Sequence, residues 1–147
     1  MLSKAISIAA QAFEGKYDKE GNPCILHCLH VMNAVKDYSE DYMIVAVLHD
    51  LLENTNWTAQ MLLDKGFSES LVIAIKHLTH IKGEPYDVYI EFLSKHPIAR
   101  IVKMADLRHN GDITRLKSLT EKDFKRLEKY AVEAYSKPSC TAEEVNK

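Results

Sequence analysis

The stretch "DYMIVAVLHDLLENT", residues 41–55, decides how this chain folds. Its run "YMIVAV" is apolar nearly all round, which suits a helix at the centre of a bundle rather than one with a wet face. Into the same segment the chain places His49, Asp50, Glu53 and Asn54. An imidazole or carboxylate taken out of water is costly unless something pairs with it. The spacing therefore predicts one buried helix from about Glu40 to Asn54, with a partner for its polar end.

Working outward, helical spacing recurs and strand alternation is nearly absent. Ile6, Ala9, Ala10 and Phe13 make one apolar stripe; Leu26, Leu29, Val31, Met32 and Val35 make the next. Between them "GKYDKEGNP" carries the glycines and proline of a loop. "NWTAQMLLDKGF" predicts a short helix ended by Gly66. Ser68 is an expected N-cap for "ESLVIAIKHLTH", with apolar residues at 71, 72, 75 and 78. Pro85 and Pro97 stand where first-turn prolines are tolerated, opening two more helices. A last helix, "EKDFKRLEKYAVEAY", is expected behind a Thr120 cap, and the tail 138–147 is expected to fray. The expectation is one all-α domain over residues 1–147, a compact bundle of seven or eight helices with its core at about 5–135.

At 147 residues the chain can bury a real core without staples. Its formal net charge of −2, with both signs mixed along the chain, argues against a nucleic-acid polymer or a membrane surface as partner. A local basic pocket for a phosphorylated small molecule stays compatible with it. No apolar run approaches a membrane span. Cys24, Cys28 and Cys140 fit no disulfide framework and no complete metal knuckle, and read as reduced thiols of a cytoplasmic protein.

Four groups suggest a metal site: His27, the adjacent His49 and Asp50, and the late Asp106. Imidazole with carboxylate suits Mn²⁺, Fe²⁺ or Zn²⁺. Neighbours on a helix point about 100° apart, so His49 and Asp50 reach one ion only near the bisector of their directions. Glu53, four residues after His49 and three after Asp50, shares their face and could orient or deprotonate the metal-bound water. Lys103 and Asn110, each about a turn from Asp106, could offer charge to a phosphate and a hydrogen bond to a nucleoside.

These residues carry a resemblance. His27, "HD" at 49–50 and Asp106 in "VKMADLRHN" resemble the signature of the HD-domain metal-dependent phosphohydrolases. The hydrolase domain of the RelA/SpoT family and its small stand-alone relatives, which remove pyrophosphate from the 3′ position of (p)ppGpp, is the nearer likeness. "GNPCILHCLHVM" resembles G-x-P-Y-I-x-H-P-x-x-V, "HDLLENT" resembles H-D-x-x-E-D-T, and "KMADLRHN" resembles K-x-A-D-R-x-x-N. The resemblance covers residues 5 to 135, roughly. It implies an HD helical bundle and His27, His49, Asp50 and Asp106 as ligands of one divalent ion, usually Mn²⁺. It implies Glu53, with Asn54 beside it, as the catalytic pair at a metal-activated water. Lys19, Lys103 and Asn110 are the implied contacts to a phosphorylated nucleotide.

The departures are as informative. The family's E-D pair is Glu53-Asn54 here, and an amide orients water but takes no proton. Where close relatives carry an Arg stacking on guanine, the loop reads Asp18-Lys19, without that planar cation. Phe13 and Cys24 replace a His and a Tyr. The metal ligands survive while the (p)ppGpp contacts erode. Hydrolysis of another phosphorylated metabolite, or a metal- and nucleotide-binding sensor without turnover, are therefore the alternatives. His77, His80, His96 and His109 read as boundary residues, with His30 the one spare near His27. Trp57 and Tyr86 could stack on a base but read as core or rim.

Overall fold

The protein is described by a computed structural model covering residues 1–112 together with 121, 122, 125, 128 and 129. Between Leu2 and Asn110 run eight helices: α1 (Leu2–Ala12), α2 (Cys24–Ala34), α3 (Glu40–Val47), α4 (Leu51–Asn54), α5 (Ala59–Asp64), α6 (Glu69–Leu78), α7 (Tyr86–Ser94) and α8 (Pro97–Asn110). Among the described residues there is no strand, only an isolated bridge between Tyr17 and Pro23. The all-α expectation holds. Residues 121, 122, 125, 128 and 129 are helical. The Thr120 cap, most of the expected last helix and the tail 138–147 lie outside the described residues. Contacts divide the chain into two compact units, Met1–Ala105 and Asp106–Lys147.

In the first unit α3 is the central element, packed against α1, α2 and α6. Ile44 through Leu48 are 0–1% exposed, so the apolar run is covered on all sides, as its sequence requires. α6 presents Leu71, Val72, Ala74, Ile75 and Leu78 to this core, and Ser68 Oγ accepts the N–H of Leu71 at 3.4 Å. α5 is capped by Thr58, whose Oγ1 accepts from Met61, and the chain leaves it through Gly66 at φ +88°, where a side chain would be strained. Among the described residues no helix is long and apolar enough to cross a membrane.

Three expectations need correcting. The predicted helix over 40–54 is not continuous: α3 ends at Val47 and α4 starts at Leu51, with His49 and Asp50 in the break. Leu48 and Asp50 lie near φ −100°, ψ 0°, at values of −103°, 3° and −94°, −1°. The cause is local. His49 Nδ1 sits 2.7 Å from the carbonyl of Ala46, the oxygen that would accept the Asp50 N–H in an unbroken helix. The α1 stripe is also shifted by one residue. Ala5, Ile8, Ala9 and Phe13 are buried, Ile6 is half-buried and Ala10 exposed. On α2 the buried residues are Cys28 and Val31, while Leu26 is 55% exposed.

His77 and His96 stack at 4.9 Å between ring centroids, with Phe92 4.6 Å from His77. Burial holds both imidazoles below their ordinary value, and for His77 the charges of His96 and Lys76 add to it. The unfolded chain takes up these protons from about pH 6.5, the folded one only at lower pH. Between those points the unfolded state binds more protons, so stability falls as pH drops. Thermal midpoints measured from about pH 7.5 to about 5.5 are expected to decline, and less steeply in His77→Gln. Parallel profiles for the two proteins would remove His77 from this account.

Candidate metal centre

His27 enters the site from α2, and His49 and Asp50 enter from the break between α3 and α4. His49 is 2% exposed; His27 and Asp50 are half-buried. The two Nε2 atoms are 3.2 Å apart, His49 Nε2 is 3.3 Å from Asp50 Oδ1, and His27 Nε2 is 3.9 Å from Asp50 Oδ2. The rings meet edge to face, with centroids 5.1 Å apart.

A carbonyl oxygen only accepts, so His49 Nδ1 must carry the hydrogen that bonds Ala46 O. In the neutral ring this leaves the lone pair on Nε2, the atom facing His27 and Asp50. One bond thus fixes both the tautomer and the ring orientation, the usual arrangement behind a metal-ligating histidine.

The donor set fits a divalent ion. One ligand atom from each of His27, His49 and Asp50 lies within 4.8 Å of the other two. For donors about 2.1 Å from a shared ion, the 3.2 and 3.3 Å separations subtend roughly 100° at it, close to tetrahedral and octahedral demands, and the 3.9 Å His27–Asp50 separation roughly 135°. Two imidazoles and a carboxylate suit a borderline or harder cation.

Cys24 opens α2 one turn before His27. Its thiol is pushed up first by burial, then by the negative charges of Asp18 and Asp50, with Lys16 opposing. Lys16 and Asp50 therefore both act on this short segment.

Glu53 and Asn54 are exposed and do not join the ligand cluster. A face shared with His49 and Asp50 requires one continuous helix, and the helix is broken between Val47 and Leu51. They line a cavity of about 460 Å³ with Ala12, Lys16, Thr55, Asn56 and Trp57. Glu53 Oε2 accepts the backbone N–H of His80 at 3.4 Å. His80, set aside in the sequence, thus holds Glu53 through its main chain, while its Nε2–H donates to Glu84 O at 2.8 Å.

Asp18 does structural work the sequence did not reveal. Its Oδ1 accepts the N–H groups of Glu20 and Asn22 at 2.9 Å each, and its Oδ2 lies 3.4 Å from the Asn22 amide. The carboxylate closes the loop that carries the exposed Lys19. A Asp-x-x-Gly-Asn run is a turn signal, so this was available in principle. Lys103 Nζ stands 5.8 Å from the ring centroid of Tyr89, whose hydroxyl donates to Leu78 O at 2.6 Å. In the second unit Asp106 is 4% exposed, and its Oδ1 accepts from Asn110 Nδ2 at 2.6 Å. Ala12, Lys16 and Asn56 also line the cavity, and no motif in the sequence singles them out.

Fold and site together define an all-α domain built around a His–Asp pair, with a second histidine from a neighbouring helix completing a potential cation site. The chain belongs to the HD domain family, whose model matches residues 5–87. It is 27% identical over 120 residues to a probable GTP pyrophosphokinase of Mycobacterium leprae, covering 75% of this chain and 15% of that protein. It is 27% identical over 140 residues to a guanosine-3′,5′-bis(diphosphate) 3′-pyrophosphohydrolase of Haemophilus influenzae, covering 87% and 20%. The chain thus spans a fifth or less of the length of these curated relatives. A solved structure described as a metazoan ortholog of SpoT that hydrolyzes ppGpp shares the fold, with a TM-score of 0.74 and 20% identity over 90% of this chain and 82% of the other.

Proposed function

We propose that this protein is a cytoplasmic, metal-dependent phosphohydrolase acting on a nucleotide, with the 3′-pyrophosphate of (p)ppGpp as first candidate substrate. The observation that carries the reading is the convergence of two imidazole Nε2 atoms and the Asp50 carboxylate, with His49 held as the Nδ1–H tautomer. The names of the two curated relatives and of the structural neighbour supply the substrate class.

His27, His49 and Asp50 would hold the ion, with Mn²⁺ the family's usual choice. Asp106 is put forward as the fourth ligand on its family motif. A bound divalent ion would polarise a phosphoryl oxygen and acidify water. Glu53 is the proposed base: Oε2 is tied to the His80 N–H, and Oε1 is the atom to take a proton from attacking water. The new bond joins the water oxygen to phosphorus as the bond to the ribose 3′ oxygen breaks, and that oxygen takes a proton from solvent. Asn54 orients the water without accepting its proton. Lys19, Lys103 and Asn110 are the proposed nucleotide contacts. Lys103 is braced beside the Tyr89 ring, and Asn110 gives its amide to Asp106, which suits it to orienting that carboxylate.

Phosphate and pyrophosphate release from a nucleotide panel including ppGpp, with Mn²⁺ and with EDTA, tests this. Mn²⁺-dependent pyrophosphate release from ppGpp, lost in EDTA, is expected. The neutral Asn54 favours one second reading, a metal- and nucleotide-binding sensor. Asn54→Asp separates the two. A rise of about tenfold or more from near-zero turnover would mark a protein that binds without working, whereas little change would mark Asn54 as part of a functioning site.

A further inference from the structure

The cavity beside the cluster has a chemistry that hydrolysis alone does not require. Of its lining groups Lys16, Asn54 and Trp57 each carry N–H donors. Among the described residues no acidic group lies within ion-pairing distance of Lys16. Thr55 contributes little, since its hydroxyl already donates to Leu51 O at 2.6 Å and accepts the Trp57 N–H at 3.1 Å. Glu53 is the one acid in the lining, and one of its oxygens is engaged by His80. A carboxylate at 54 would leave this wall net negative. With asparagine there, Lys16 balances Glu53 and a negative acceptor becomes a neutral donor.

Main-chain bonds join both ends of the wall to segments that carry the ligand group. The Asn54 main-chain N–H donates to Asp50 O at 3.0 Å, so residue 54 follows Asp50 by one helical turn. On the other side Lys16 O accepts the Cys24 N–H at 3.0 Å, at the start of the helix that carries His27. A volume of about 460 Å³ is ample for a phosphate chain.

We infer that this cavity is an anion subsite, taking a phosphate group of the substrate other than the one attacked, with Lys16 as its specificity-determining cation. The inference rests on the phosphohydrolase reading for what the subsite serves, but the binding itself is testable without turnover.

Trp57 is the chain's one tryptophan and lines the cavity, so its emission reports occupancy directly. Inorganic pyrophosphate is titrated into the full chain in EDTA, following Trp57 fluorescence, with wild type, Lys16→Glu, Lys16→Arg and Asn54→Asp compared. A saturable change is expected in the wild type. The Kd should rise by about tenfold or more in Lys16→Glu, stay within about threefold in Lys16→Arg, and rise severalfold in Asn54→Asp. No saturable change in the wild type, or an unaltered Kd in a folded Lys16→Glu, would overturn the subsite. The two readings fail separately. Silence in every hydrolysis assay with Lys16-dependent pyrophosphate binding intact removes the phosphohydrolase and keeps the subsite. Turnover whose KM ignores Lys16→Glu, with Kd also unmoved, removes the subsite alone.

Discussion

Replacing Asp50 by alanine is expected to abolish both metal retention and Mn²⁺-dependent turnover, the latter by about 10³-fold or more, which is about 4 kcal/mol of barrier. Asp50 supplies the carboxylate of the His27, His49 and Asp50 group, so its loss leaves the ion to two imidazoles and the proposed Asp106. A harder divalent ion is held less well as carboxylate donors are removed. The fold should survive. Asp50 stands at the N-cap of α4 but makes no capping bond there, and it is half-exposed, so little local structure depends on its side chain. Metal content of the dialysed protein and its thermal midpoint check this independently of any substrate. Retained metal with activity within about tenfold of wild type would refute the assignment.

Leu48→Ala should be the most damaging of the conservative core changes around the site. Leu48 is fully buried and immediately precedes His49. Truncating such a leucine costs about 3 kcal/mol, from lost transfer energy and the cavity left behind. For a chain of this size that corresponds to roughly a 10 °C fall in thermal midpoint. The new void also lies under the break, so metal affinity should weaken alongside stability. Leu26→Ala is the matched control. That residue is 55% exposed, despite its place in the apolar stripe read from the sequence, and its loss should cost less than about 0.5 kcal/mol. Equal losses in the two variants would contradict the core described above.

The central helix was legible because an apolar run without a wet face has few places to go, and Ile44 to Leu48 went there. Ser68 and Gly66 were legible for chemical reasons, a short side-chain acceptor and a residue tolerant of positive φ. The break at His49 was not. Periodicity sums side-chain preferences around a cylinder, and it cannot register one imidazole taking a carbonyl from the helix that carries it. The one-residue shift on α1 has a different cause. Ala5-Ile8-Ala9 and Ile6-Ala9-Ala10 are both acceptable apolar stripes, and only the neighbouring elements choose between them. At the site, the identities of His27, His49 and Asp50 came from the motif. The position of Glu53 did not, because it was inferred along a helix that stops short.

The loop at 17–23 bears on how this chain could change over generations. The family pattern that the sequence resembles places an arginine for a guanine base in this loop; here Asp18 accepts three hydrogen bonds that close the turn. An arginine has donors and no acceptor, so it cannot serve both purposes. Residue 18 offers either a cation for a base or an anchor for the backbone. The anchor is therefore hard to exchange: an arginine substituted at 18 would gain the cation but forfeit the turn that would have to present it.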